Sequence, residues 1–324
     1  MAIPTAYTQN EFYTEIMNLI ITQYVNDSIK FIDPLAKAFY RADVTSGDQM
    51  ALYTADVLTE NQYDDTSKTL LTVFSPKEDT QVIPTTDKIF FGLTNNRFIA
   101  RGAFSSPTNL AEFINYVISM LGKSKQIYTY KKIIEDINAM DSRTLPQGVE
   151  WKDTQTVTIN LEDTDSLTGA NKAQAEKRNS KKIYETLMNY SKYLQRPSTK
   201  FNELGYTQTT DVADLLCIVN SEVDTSISVD VFASLLNSNK IAENQVWAEK
   251  IFIPTDSLDS PNTIGYLMDK NAYAIANRIL TATAFFNARS LNDSNFLHLW
   301  LLRGVVNGLQ KVKFVANYTT AQSE

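Results

Sequence analysis

Few side chains in this chain of 324 residues could do chemistry, for it carries one cysteine and one histidine. A serine or cysteine nucleophile needs an imidazole beside it. The single histidine, His298, stands inside the apolar run Phe296–Trp300, where a structural ring with its nitrogens satisfied is the expectation. Cys217 also lies in an apolar run; a lone thiol there packs as a small hydrophobe and leaves no internal disulfide to form. One Cys and one His cannot supply the four ligands of a zinc site. Asp224, Asp230, Asp256, Asp259 and Asp269 lack the Asp-x-Asp-x-Asp-Gly spacing of a calcium loop, so solvated carboxylates are expected. Neither G-x-G-x-x-G after a strand nor G-x-x-x-x-G-K-[ST] occurs, and with them go the usual nucleotide-binding loops. A carboxylate-pair hydrolase stays open, because such pairs are not local in sequence. The expectation is no catalytic residue, no cofactor and no metal.

The order of the elements therefore carries more than any single residue. The longest run with one period is Ser106 to about Met140. Ser106 can cap a first turn and Pro107 suits the first helical position, where its missing N–H would have no partner. Phe113, Val117, Met120, Ile127, Tyr128 and Ile134 fall on one side at 100° per residue. The pattern predicts a helix on the order of 50 Å long, with Gly122 as its weak point at about 1 kcal/mol relative to Ala.

Before it, the capping-box pattern Thr8-Gln9-Asn10-Glu11 opens a predicted helix over about 9–30, and a short helical piece is expected over Leu35–Arg41 after Asp33-Pro34. From Ala42 to Arg101 the texture is polar and turn-rich, with strands expected at MALYTADVLTE, TLLTVFS, DKIFFGLT and RFIARGAF. Such a segment has little to build its own core, and a strand pair completed by another subunit is the favoured reading.

After the long helix, Gln155–Leu161 alternates as a half-buried strand, Asp163–Lys172 is a polar hinge, and a helix is expected over Ala173–Leu194 with a basic opening at Lys177, Arg178, Lys181 and Lys182, expected to be a solvated face. Asp214–Asn220, Val246–Pro254 and Thr263–Met268 read as strands and Val229–Asn237 as a helix, together a small α/β unit. Asn271–Phe286 leaves helix and strand unseparated, and Phe296–Phe314 is apolar enough for one or two buried strands.

A formal net charge of −7 argues against a surface built to neutralise phosphates. No basic-then-apolar signal opens Met1–Tyr13 and no apolar run approaches about 18 residues. The expectation is a protein made in the cytoplasm, without membrane contact, in which the N-x-S/T triplets at Asn26, Asn189, Asn292 and Asn317 are chance matches.

NEFYTEIMNLI at 10–20, the passage from FFGLTNNRFIARGAF at 90–104 into SPTNLAEFINYVISML at 106–121, VDVFASLLN at 229–237 after a strand, and NFLHLWLLRGVVNGLQKVKF at 295–314 follow one another in this order. In it, nearly the whole chain resembles the major capsid proteins of tailed bacteriophages, the fold named after phage Hong Kong 97, and in particular those of small short-tailed phages. The resemblance implies an α+β fold with an N-terminal arm (1–40), an extended loop over a neighbouring subunit (41–103), a peripheral domain with a long spine helix (104–162 and 275–324) and an axial domain (163–274). It implies a structural, non-enzymatic protein that self-assembles into hexamers and pentamers of an icosahedral shell. That shell would enclose phage DNA without sequence-specific binding, with scaffolding protein and portal as further partners. Its place would be the virion capsid, and the host cytoplasm during assembly. Asp64, Asp65, Lys68, Glu78 and Asp79 are the candidate intersubunit contacts of the loop. Some family members crosslink a lysine to an asparagine; Lys68, Lys77 and Lys88 lie in the loop, but no motif selects one and no crosslink is expected. The alternatives are a compartment shell of the encapsulin type holding cargo enzymes, and a monomeric binding module or carboxylate hydrolase using the α/β unit.

Overall fold

The computed structural model describes residues 33–41, 43–44, 47–61, 75–96, 107–226, 247–287, 289 and 292–319. The predicted helices over 9–30 and 229–237, and the strands TLLTVFS and RFIARGAF, lie outside them.

Asp33 and Pro34 start α1 (Pro34–Phe39): the Asp33 carboxylate accepts from the Ala36 N–H at 3.2 Å, and Pro34 takes the position where a missing N–H costs nothing. Strands β1 (Gln49–Ala55) and β2 (Glu78–Asn96) follow. Helix α2 (Pro107–Asn138) then runs through Gly122 without a break. Its buried side differs from the predicted stripe: Leu121, Lys125, Thr129, Ile133, Ile134 and Ile137 are buried, whereas Met120 and Ile127 are exposed. The buried positions recur at three and four, as one helical face must. The exposed apolar residues form a second stripe that the predicted pattern merged with the first.

The remaining elements are β3 (Thr156–Glu162), α3 (Gly169–Leu194), β4 (Leu215–Asn220), β5 (Glu249–Ile253), β6 (Thr263–Asp269), β7 (Tyr273–Asn287), β8 (Asn292–Val305) and β9 (Lys311–Thr319). Asn271–Phe286 thus resolves as strand, and Phe296–Phe314 as the end of one strand and the start of the next. One sheet has the order β1-β2-β8-β7 and the other β3-β9-β6-β4-β5.

The chain divides into two units, Met1–Met50 with Val82–Ile133 and Ala274–Gly304, and Ala51–Gln81 with Ile134–Tyr273 and Val305–Glu324. In the first, β2 pairs antiparallel with β8 from Thr85↔Leu302 to Asn96↔Asn292, with a register shift between Thr85 and Asp87. Pro84, having no N–H, sits beside that shift. The Thr86 hydroxyl there donates to the Arg303 carbonyl at 3.2 Å. On one face Phe91 meets Tyr128 of α2, ring centroids 6.0 Å apart and edge to face.

In the second unit β3 runs parallel to β9, β4 parallel to β5, and β6 antiparallel to both β4 and β9. Helix α3 covers this sheet: Ile183, Leu187 and Leu194 join Ile159, Leu161, Leu215, Cys217, Val219, Leu267, Val312 and Phe314 in one core. Spacings of four and seven place those three helix residues on one side. Gln155–Leu161 and the last strand share a sheet with 163–274, because β9 inserts between β3 and β6 and pairs with both.

Candidate assembly surfaces

The outer face of the first unit's sheet, opposite Tyr128, is built by alternation along the strands. Phe90 of β2 lies opposite His298 of β8 and Lys88 opposite Trp300. The Lys88 ammonium stands 4.7 Å over the Trp300 ring, and Phe90 meets Phe296 edge to face at 5.6 Å. Phe90 is 62% exposed and Phe285 of β7 61%. His298 belongs to this face: its Nε2 lies 3.0 Å from the Thr283 hydroxyl and its ring is tilted against Phe90 and Phe296. Its described contacts are thus one hydroxyl and two aromatic rings. Arg303 beneath the rim is fixed by Asp87 at 2.6 Å.

The second surface is the outer stripe of α2. Tyr116, Met120 and Ile127 lie at spacings of four and seven, hence on one side, and all three are exposed. A solvent-facing helix of a monomer usually presents charge there. This one presents an aromatic, a thioether and an aliphatic side chain.

In the second unit the basic opening of α3 is tied to the edge of β3. Arg178 donates two hydrogen bonds to the Glu162 carboxylate at 2.7 and 2.6 Å, and Lys182 donates to the Asn160 carbonyl at 2.6 Å. The guanidinium holds the Glu162 carboxyl below the usual carboxylate range. Two of the four basic residues are therefore local clamps rather than a purely solvated face.

Of the five loop residues singled out from sequence, Asp64, Asp65 and Lys68 lie outside the described residues. Glu78 and Asp79 open β2. Together with Asp56 they raise the pKa of the Tyr206 phenol, after the larger effect of its desolvation. Asp56 is itself held low, chiefly by the Thr207 backbone N–H at 2.8 Å. The structure thus groups Glu78 and Asp79 with a third carboxylate around one tyrosine.

The interior of the second unit holds further charge. Lys311 Nζ reaches Glu203 at 2.6 Å and the Val306 and Leu309 carbonyls, while Arg143 bonds Glu203, Asn307 and the Val305 carbonyl. Lys313 bridges Asp141 and Asp259 at 2.7 and 2.6 Å. Every one of these cations ends on protein oxygen, so the clusters are internal ties between segments far apart in sequence. Cys217 is fully buried and its thiol is pushed up to about 12 by burial, which makes it unreactive. Among the described residues no group of three or more His, Cys, Asp or Glu side chains could hold a metal ion, and no helix is long and apolar enough to cross a membrane.

Sequence reasoning missed both apolar surfaces. The available signal lay in IFF at 89–91 and FLHLWLL at 296–302, which are apolar on both faces of a strand, and a fully buried strand was the natural reading.

Apolar side chains on an open sheet face and along one helix stripe mark surfaces for contact with other molecules. The chain resembles solved capsids over most of its length. It has a TM-score of 0.58 with the capsid of Staphylococcus phage Andhra, at 13% identity over 88% of this chain and 84% of that one. With the capsid of cyanophage P-SCSP1u the score is 0.56, at 12% identity over 87% and 86%. With the capsid of Ralstonia phage GP4 it is 0.55, at 8% identity over 91% and 93%. These likenesses establish the fold. Comparison with curated proteins gives no match. The model of the Phi29-like phage major capsid protein family matches residues 2–315, and the chain belongs to that family. It is a tailed-phage major capsid protein with the Hong Kong 97-type fold, a structural and non-enzymatic protein whose copies assemble into a shell.

Proposed function

We propose that this chain forms hexamers and pentamers of an icosahedral shell that encloses phage DNA without sequence-specific contact. The observation that carries the reading is the aromatic sheet face around Phe90 and Phe285, left open in one subunit. Burying one such ring contributes about 1.5–3 kcal/mol, and many weak repeated contacts suffice for a closed shell. The net charge of −7 supports enclosure over grip.

In this reading 1–40 is the arm, 41–103 the extended loop and α2 the spine of the peripheral domain. The axial domain consists of 163–274 together with β3 and β9. Assembly takes place in the host cytoplasm with a scaffolding protein, around a portal. Asp64, Asp65, Lys68, Glu78 and Asp79 set the register of loop contacts between neighbours.

The test is light scattering and electron microscopy of the purified protein, alone and with the scaffolding protein of its phage, followed by nuclease treatment and analysis of particle content. Closed shells built on rings of five and six that protect DNA support the proposal. A monomer under every condition overturns it, and shells that hold a protein cargo in place of DNA point to an encapsulin-type compartment.

A further inference from the structure

The open edge of β3 is closed at one end and available at the other. Asn179 of α3 accepts from the Glu162 N–H and donates to the Glu162 carbonyl, both at 2.9 Å, so that its side-chain amide imitates a neighbouring strand. Lys182 occupies the Asn160 carbonyl. The Thr156 N–H is taken by the Asp153 carbonyl. Residues two apart along a strand present their backbone groups to the same edge. The Thr156 carbonyl, both backbone groups of Thr158 and the Asn160 N–H therefore face outward, and no described residue pairs with them. Beside this gap, on the α3 side, lies an open cavity of about 680 Å³ whose lining includes Tyr190, Tyr193 and Phe201, two basic side chains, Arg196 and Lys200, and one acidic one, Asp153. Tyr190 is locked edge to face against Tyr193, Phe201 and Phe314. Tyr193 is exposed.

We propose that Val57–Asn61 of a second copy adds to this edge as a short strand, with Leu58 entering the aromatic cavity and Glu60 meeting Arg196 and Lys200. Val57 and Leu58 are the exposed apolar pair that follows β1, and Glu60 and Asn61 are exposed beyond them. Leu58 and Glu60, two apart, point to one face of an extended segment, as a cavity lined by aromatic rings and two basic side chains requires. Asn179 and Lys182 stop the added strand after about three residues and so fix its register. This is strand addition, in which backbone bonds give affinity and the side-chain cavity gives selectivity. It rests on the shell reading and names one contact within it.

The test compares amide hydrogen exchange in the unassembled full-length protein and in its assembled shells. The Thr158 and Asn160 amides are expected to slow at least about tenfold on assembly. Equal exchange in both states, with shells present, overturns the contact and leaves the shell reading standing; failure to form any shell overturns both. Thr158→Pro removes an N–H that the subunit's own ladder does not use, so the unassembled protein should keep its melting temperature while shell yield falls. Unchanged yield overturns the proposal. If Thr158→Pro misfolds, Glu60→Lys replaces it: yield should fall, and recover when Arg196→Glu and Lys200→Glu are added. A loss with no recovery also counts against the contact.

Discussion

Lys311 and Glu203 form an ion pair with both side chains fully buried, Nζ 2.6 Å from Oε2. The pair ties β9 to the segment after α3, more than a hundred residues earlier in the chain, and Arg143 holds the same carboxylate from a third segment. Such a cluster contributes little net stability against an apolar replacement of the whole, yet removing one partner strands the others.

Lys311→Met should therefore destabilise the unassembled subunit by about 3–5 kcal/mol, because Glu203 and the Val306 and Leu309 carbonyls lose the donor they share. Urea unfolding would measure it. A loss below about 1 kcal/mol, the range of an ordinary surface substitution, would show that the cluster is not a structural tie.

The same lysine predicts a pH effect. Burial, against the opposing pull of Glu203, pushes the Lys311 ammonium down to about 8 from 10.5. The native state therefore holds fewer protons than the unfolded state between those values, and this group's contribution to stability rises with pH across that window. Cys217 acts with the opposite sign, its protonated thiol favouring the fold at low pH and losing that advantage from about 9 to about 12. Wild type and Lys311→Met share the cysteine, so the difference in their unfolding free energies isolates the lysine. That difference should grow from pH 8 to pH 10, and a flat difference refutes the assignment.

Cys217 should resist a thiol reagent at pH 8 in the folded subunit and react at once in urea, since the thiolate is the attacking form and this thiol is both inaccessible and raised. Rapid labelling of the native protein would place the side chain elsewhere than in the core of β4.

Much of the second unit was legible because its strands carry plain signals. Asp214–Asn220 and Thr263–Met268 are short apolar runs between turn residues, and they form β4 and β6 with nearly those bounds. Leu187 and Leu194 also kept the period that placed them in the core. What sequence could not give was which strands pair. β3 reads as a half-buried strand wherever it stands, and only its pairing with β9, some 150 residues later, puts it in the sheet of β4–β6. The stripe of α2 failed for another reason. Met120 and Ile127 are as apolar as a core residue, and periodicity counts apolarity without asking whether the cover comes from the same chain or a neighbour. The five loop charges were chosen by texture, and the two within the described residues lie beside Asp56 and Tyr206, a grouping no local pattern encodes.

The sheet face offers the sharpest separation of folding from assembly. Phe90 is mostly exposed in the subunit, so Phe90→Asp removes little buried area there and should change the stability of the unassembled protein by no more than about 0.5 kcal/mol apart from its contact with Phe296. Edge-to-face contacts of that kind contribute about 0.5–1.5 kcal/mol, which bounds the total. If the face is covered by a neighbour in the shell, an unpaired carboxylate is driven into an apolar contact at every equivalent interface. That costs several kcal/mol each time, because a buried charge without a partner is not compensated. Shell yield, read by sedimentation at constant protein concentration, should then collapse while the melting temperature of the subunit falls by no more than a few degrees. Phe285→Asp on the neighbouring strand should behave alike. Normal shells from both variants would mean that the face stays in solvent after assembly, and the contacts that close the shell would then have to be sought along Tyr116, Met120 and Ile127.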